Sequence, residues 1–250
     1  MIEAEGLTKL YGKRAAIENI SFTVPEGQVA GLLGLNGAGK STTMNILTGC
    51  LSATCGRVRI NGVDISEESE KAKLCIGYLP EMPPLYTDMK AGEYLDFIYG
   101  LKKAEKQIAC SGSRKERNRI KKQHIEEICG KTGITEIITR LIKNLSKGYR
   151  QRLGLAAALI GNPKIIVLDE PTVGLDPAQI IEIRNLIAEL GKSGTVILSS
   201  HILSEVQSLC DRVIVLHEGR LAADIGPEQM KAEDSLEKTF IDLVKGNKTC

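Results

Sequence analysis

The chain contains no tryptophan, and only three phenylalanines and six tyrosines among 250 residues, so little aromatic surface is offered for stacking on exposed bases. Charge of neither sign dominates. The 33 Lys and Arg face 31 Asp and Glu for a net charge of +2, so composition gives no argument for nucleic acid as the main partner. No apolar run approaches the roughly 20 residues of a membrane span. The start, Met1-Ile2-Glu3-Ala4-Glu5, is acidic and lacks the basic segment and apolar core of a signal peptide. The cysteines (Cys50, Cys55, Cys75, Cys110, Cys129, Cys210, Cys250) are seven, an odd number, and no two stand as Cys-x-x-Cys. Neither a zinc ribbon nor a redox pair is signalled, and reduced thiols in a reducing cytoplasm are expected. Internal repeats and low-complexity tracts are absent too. A chain of 250 residues makes one large domain, or one carrying a subdomain. At this size it buries about three quarters of its unfolded surface and needs no disulfide support.

What is present is a Gly-x-x-x-x-Gly-Lys-Ser/Thr loop, Gly34-Leu35-Asn36-Gly37-Ala38-Gly39-Lys40-Ser41-Thr42. It lies between an apolar run, Val29 to Leu33, and a helical stretch, Thr42 to Thr48. A chain turning through small residues points successive backbone N–H groups inward, and that concavity binds phosphate oxygens. The helix beyond adds the favourable end of its dipole. Lys40 then reaches the outer phosphates, and the Ser41 hydroxyl is placed to bind Mg²⁺.

The second signal is Ile165-Ile166-Val167-Leu168-Asp169-Glu170, an apolar strand ending in two adjacent carboxylates. Asp169 would hold Mg²⁺, commonly through water. Glu170 would polarise the attacking water as general base. His201, three residues past the strand run Thr195 to Leu198, falls at the same carboxyl edge, where ligands bind in such sheets. There a histidine can contact the γ-phosphate and help hold water against Glu170. His124 and His217 lack a comparable setting and read as structural.

Elsewhere strand runs alternate with helical ones. Gly56 to Ile60 leads into Asn61-Gly62, a tight-turn signal. Arg150 to Ile160 reads as a helix packed on several sides. Asp176-Pro177 starts another with a good cap, and its stripe of Ile180, Ile183, Ile187 and Leu190 is closed by Gly191. Such alternation implies a mostly parallel sheet with helices on both faces. Between Met82 and Leu145 the character changes to helical periodicity and then a basic run. Lys102 to Lys122 holds nine Lys and Arg against Glu105 and Glu116. It reads as a solvated helix face or connector, or alternatively as a surface meeting anionic lipid or an acidic partner.

A third motif, Leu145-Ser146-Lys147-Gly148-Tyr149, together with Asp169 to Pro177, resembles the signature and following segments of ATP-binding-cassette (ABC) ATPases. The order and spacing of the motifs match over nearly the whole chain. The likeness is greatest to cassettes of the ABC-2 type, among them the gliding-motility-associated and multidrug-like subgroup. It implies an α/β P-loop NTPase fold with a mostly parallel central sheet, an N-terminal antiparallel β subdomain and an inserted α-helical subdomain. Residues 2–232 would form the ATP-binding domain, with the helical insert at about 82–145 and a short tail at 233–250.

The resemblance also implies roles. Tyr11 would stack on adenine. Leu145 to Tyr149 would cover the γ-phosphate held by the other subunit, so that two ATP molecules lie between two cassettes, and Asp176 would lie in the loop crossing that interface. The helical insert would dock the cytoplasmic loops of separate transmembrane permease subunits, placing the protein in the cytoplasm on the inner face of the cell membrane. ATP and Mg²⁺ are the implied cofactors, export the implied direction, and no nucleic acid partner is expected. Two departures stand out: Lys147 replaces a glycine and Tyr149 a glutamine, and Lys147 either adds charge near phosphate or points to solvent. Glu81 occupies the position of a glutamine that touches Mg²⁺ and water; a carboxylate there also binds Mg²⁺ but adds negative charge. A soluble cassette acting on ribosomes or DNA is the alternative, though this chain has neither paired cassettes nor a long coiled coil. A GTPase would need Asn-Lys-x-Asp, which Asn247-Lys248-Thr249-Cys250 does not complete.

Overall fold

The computed structural model describes residues 1–104 and 113–230. The tail at 233–250 and part of the basic run, with Cys110 and Cys250, lie outside the described residues. A four-stranded antiparallel sheet is built from β1 (Ile2–Tyr11), β2 (Arg14–Val24), β4 (Cys55–Ile60) and β5 (Val63–Asp64), in the order β2-β1-β4-β5. Its β4–β5 turn is Asn61-Gly62, both at positive φ (49° and 78°), the backbone that such a two-residue hairpin needs. A six-stranded sheet is built from β3 (Val29–Leu33), β6 (Ile76–Leu79), β7 (Ile165–Leu168), β8 (Thr195–Ser200), β9 (Arg212–His217) and β10 (Arg220–Ile225). Its order is β10-β9-β3-β8-β7-β6, parallel except for the β9–β10 pair.

Strands β3 and β7 are apolar on both faces, and they and β8 are fully buried, as a parallel sheet covered on both sides requires. One face packs against the antiparallel sheet and α1 (Lys40–Leu47) through Ile17, Ile20, Leu32, Met44 and Val167. The other carries a larger core shared with helices α3 (Ala91–Leu101), α4 (Arg114–Thr132), α5 (Lys147–Leu159) and α6 (Pro177–Ser193). Two short helices, α2 (Ser69–Leu74) and α7 (Leu203–Leu209), join β5 to β6 and β8 to β9, and α8 (Pro227–Met230) follows β10. Among the described residues no helix is long and apolar enough to cross a membrane.

Two sequence readings change. Gly191 does not close its helix, which runs on to Ser193 with Gly194 as its cap. Gly191 is instead a contact point, because a Cβ there would collide with Val29 on β3. The basic run is not uniformly solvated either. Arg114 to Arg119 are exposed on α4, but Lys102 is half-buried and donates to the carbonyls of Ala157 (3.0 Å), Ala158 (2.8 Å) and Ile160 (3.2 Å). These are the free carbonyls at the C-terminus of α5, where a cation is favoured by the helix dipole. Burial pushes the Lys102 ammonium down to about 8, leaving it charged at neutral pH.

Candidate active site

Three neighbouring parallel strands deliver the chemistry to one edge. Leu33 of β3 pairs with Ser200 of β8, and Leu168 of β7 with Leu198 of β8. The phosphate loop, the Asp169-Glu170 pair and His201 therefore leave the sheet side by side. The loop turns into α1 at Gly39, whose φ of +101° suits glycine and whose Cβ would strike Ile17 and the Ala16 carbonyl. No acidic residue occupies the first turn of α1, so its N–H groups and dipole face the loop without competition.

Lys40 is 6% exposed and donates to the Gly34 carbonyl (2.8 Å) and the Leu35 carbonyl (3.3 Å). It also pairs with Glu170 Oε1 at 3.3 Å. The second carboxylate oxygen of Glu170 lies 2.9 Å from His201 Nδ1. Ser41 Oγ donates to Asp169 Oδ1 at 3.4 Å. Glu170 takes a φ of +48°, which costs a non-glycine residue about 1 kcal/mol or more. Its backbone N–H is fixed by donation to Ser199 Oγ (2.9 Å), and that hydroxyl donates onward to Asp169 Oδ1 (2.6 Å). Ser199 thus aims both acids, one through its backbone and one through its side chain. The sequence showed it only as a residue before His201.

A cavity of about 910 Å³ opens over this edge. Of the sequence-predicted residues it collects Tyr11, Asn36, Gly37, Gly39, Lys40, Ser41, Thr42, Glu81, Glu170 and His201. Gly34 and Ala38 are buried within the loop, Leu35 is exposed outside the cavity, and Asp169 is 3% exposed and bonded to Ser41. Tyr11 is 54% exposed at the far rim, with the Lys9 ammonium 5.6 Å from its ring centre. Val173 lines the cavity too. Arg14 to Ala16 and Glu218-Gly219 add a further stretch of wall, and the Glu18 N–H donates to the Gly219 carbonyl (2.7 Å) to hold the two sheets together there. Nothing in the sequence flagged these wall residues, because they come from a β2–β10 approach that local pattern does not encode.

The signature residues lie elsewhere. None of Leu145, Ser146, Lys147, Gly148, Tyr149 and Asp176 lines the cavity. Ser146 caps α5, its hydroxyl accepting from the Tyr149 N–H (3.3 Å), and Asp176 caps α6 by accepting from the Gln179 N–H (2.9 Å). The two helix starts abut, since Gly148 has no room for a Cβ against the Gln179 side chain. Lys147 turns neither fully to solvent nor into the cavity, for its ammonium lies against Gly174. Tyr149 donates its hydroxyl to Glu136 of the helical insert, a bond that raises its pKa.

Site and sheet together define an α/β phosphate-loop nucleoside triphosphatase whose signature motif lies outside its own nucleotide cavity. The sequence profile of the ABC transporter family matches residues 17–173. The chain belongs to that family, as an ATP-binding, ATP-hydrolysing cassette subunit. It is 36% identical over 241 residues to the lantibiotic transport ATP-binding protein SrtF of Streptococcus pyogenes, covering 96% of both chains. To the bacitracin transport ATP-binding protein BcrA of Bacillus licheniformis it is 35% identical over 236 residues, covering 92% of this chain and 71% of that one. Among solved structures, an ATP-binding subunit of an ABC transporter superposes with a TM-score of 0.82 at 26% identity, over 98% and 99% of the two chains. A dimeric bacterial ABC transporter cassette gives 0.79 at 25% identity, over 91% and 99%.

Proposed function

We propose that this subunit hydrolyses ATP at the Lys40–Glu170–His201 edge, in a dimer of cassettes that drives separate transmembrane permease subunits of an ABC-2-type exporter. The observation that carries the chemistry is the chain of contacts from Lys40 through Glu170 to His201 beside the Ser41–Asp169 pair. In this reading the loop N–H groups and Lys40 bind the phosphates, and Tyr11 stacks on adenine. Glu170 takes the proton of the attacking water, and His201 holds that water and the γ-phosphate.

The donor set fits Mg²⁺. Ser41 and Asp169 are hard oxygen donors within bonding distance of one another, and Glu81 lines the same cavity. Among the described residues no cluster of three or more His, Cys, Asp or Glu is arranged to hold a metal. That suits a cation bound by one or two carboxylates plus substrate phosphates. When bound, Mg²⁺ would neutralise charge developing on the phosphate oxygens.

Two further features support the assembly. The signature segment lies outside the cavity of its own chain, as expected if it serves a partner's site, with Asp176 alongside it. On the helical insert, Met82 (84% exposed), Tyr86 and Leu101 form apolar surface, and the Tyr86 ring stands edge-on to Phe97 at 5.6 Å. Exposed apolar surface of this kind marks a contact site, here for the permease, which would hold the subunit at the inner face of the membrane. Residues 2–232 act as the cassette domain in this reading, with about 82–145 as the docking insert. Relatives named for lantibiotic and bacitracin transport favour export over action on ribosomes or DNA.

The test is Glu170→Gln. ATP binding should persist while hydrolysis falls at least about 100-fold, leaving a stable ATP-bound dimer on size-exclusion chromatography. Hydrolysis at the wild-type rate would remove Glu170 from the general-base role.

A further inference from the structure

Beneath the proposed site lies a buried carboxylate that the chemistry described so far does not use. Glu205, in the first turn of α7, is 4% exposed. A buried carboxylate is costly unless its oxygens are bonded. One oxygen, Oε2, accepts from Thr172 Oγ1 (2.9 Å) and from Ser200 Oγ (2.9 Å). The other, Oε1, lies 3.6 Å from Arg184 Nη2 on α6. Thr172 stands two residues after Glu170, and Ser200 one residue before His201. The Ser200 hydroxyl also accepts from the Ile202 N–H (3.0 Å), so it closes the turn that carries His201. With the 2.9 Å His201–Glu170 contact the bonds form a ring, running Glu170, Thr172, Glu205, Ser200, His201 and back.

Resting on the hydrolysis reading above, we infer that Glu205 is a positioning residue. It sets the Glu170–His201 separation, and through Arg184 it registers that pair on the helix that begins at Asp176. The last two residues of β8 divide the work. Ser199 turns to one side and aims Asp169 and Glu170; Ser200 turns to the other and ties His201 to Glu205. A ring of short bonds over-determines a geometry that one strained residue, Glu170, would not hold alone. A movement of α6 at the proposed dimer contact is then transmitted to the reacting groups by the Arg184–Glu205 pair, without passing through the nucleotide.

The test is steady-state ATPase kinetics of the full chain, with nucleotide affinity measured separately by a fluorescent ATP analogue. Glu205→Ala should lower kcat about tenfold or more while leaving KM and nucleotide affinity within about twofold. Glu205→Gln keeps an oxygen to accept from both hydroxyls and should recover kcat to within about threefold of wild type. Unchanged kcat in Glu205→Ala overturns the inference, as does a parallel fall in kcat and affinity. Should Glu205→Ala fail to fold, Thr172→Val and Ser200→Ala each remove one link. Each should lower kcat alone, and the double variant should be no worse than the weaker single one, because either cut opens the ring. Additive effects, or none, overturn it. Glu170→Gln in the same series separates the two claims. A full rate there refutes the hydrolysis reading, whereas a dead Glu170→Gln beside a fully active Glu205→Ala refutes only the positioning role.

Discussion

The phosphate-loop edge and the signature segment are both sequence motifs, yet the protein builds them in opposite ways. At the loop edge three adjacent strands bring Lys40, Glu170 and His201 within 3.3 Å contacts, buried and mutually bonded. At the signature, Ser146 and Asp176 cap two helices that abut through Gly148 and Gln179, outside the chain's own cavity. The first region is finished within one chain; the second is presented. In the proposed function, where the signature serves a partner's site, hydrolysis needs two chains and turnover depends on association.

The sharpest way to break this contrast is to damage each side alone. Lys40→Ala should weaken ATP binding to the single subunit by about 10- to 100-fold, because a charge-assisted contact to phosphate is lost. Ser146→Arg should leave that binding within about twofold and still abolish hydrolysis, with a cap loss of about 1 kcal/mol as side effect. Nucleotide affinity measured at protein concentrations too low for dimers decides between them. If Ser146→Arg weakens it as Lys40→Ala does, both motifs serve one intramolecular site and the contrast is wrong.

The contrast also governs how much was legible in the sequence. The phosphate loop could be read because it is local: glycines at fixed spacing, followed by Lys40 and Ser41, specify a backbone shape. Asp169, Glu170 and His201 followed from strand ends, which a parallel sheet brings to one edge. The cap at Asp176 could be read from its following proline. What escaped was the support, since Ser199, Ser200 and Glu205 meet their partners across 5 to 33 residues of sequence. A serine hydroxyl carries no periodicity that would announce its bond. Gly191 misled for a related reason: glycine near a helix end reads as a stop, and here its value is contact with Val29 in a different element. Lys102 misled because a lysine within a basic run reads as solvated until the carbonyls of a distant helix end are placed over it.

Smaller effects sharpen the account of how the presented region is held. Helix α5 is gripped at its start by the Tyr149–Glu136 bond and at its end by Lys102. Lys102→Met keeps much of the stem but leaves three carbonyls without their ammonium donor. It should cost about 1–3 kcal/mol of stability, read from denaturant midpoints at constant m-value. ATP affinity of the folded subunit should be unchanged, because the phosphate loop draws its rigidity from other strands. A Lys102→Met protein as stable as wild type would mean that the insert does not secure this helix end.

The smallest effect concerns the same helix end and is visible only against pH. His124, 6% exposed, accepts at Nε2 from the Gly161 N–H (3.1 Å), just past the end of α5. Burial is the largest influence on its ring and lowers its pKa below the usual 6.5; Glu127 pulls the other way, and Lys131 and Lys102 push it further down. A histidine held neutral by the fold contributes its stability fully above the unfolded-state value near 6.5. As pH falls below that value the unfolded chain takes up the proton first, so stability drops until the folded ring protonates as well. Protonation would then set an N–H of the ring against the Gly161 N–H, two donors with no acceptor between them. His124→Gln retains an oxygen acceptor and has no charge to gain. Its loss of stability between about pH 7.5 and pH 5.5 should therefore be smaller than that of the wild type by the histidine's share. Equal losses in the two proteins would show that this contact does not sense protons. A smaller loss in the variant would locate the acid sensitivity at Gly161, four residues before the strand that leads to Asp169 and Glu170.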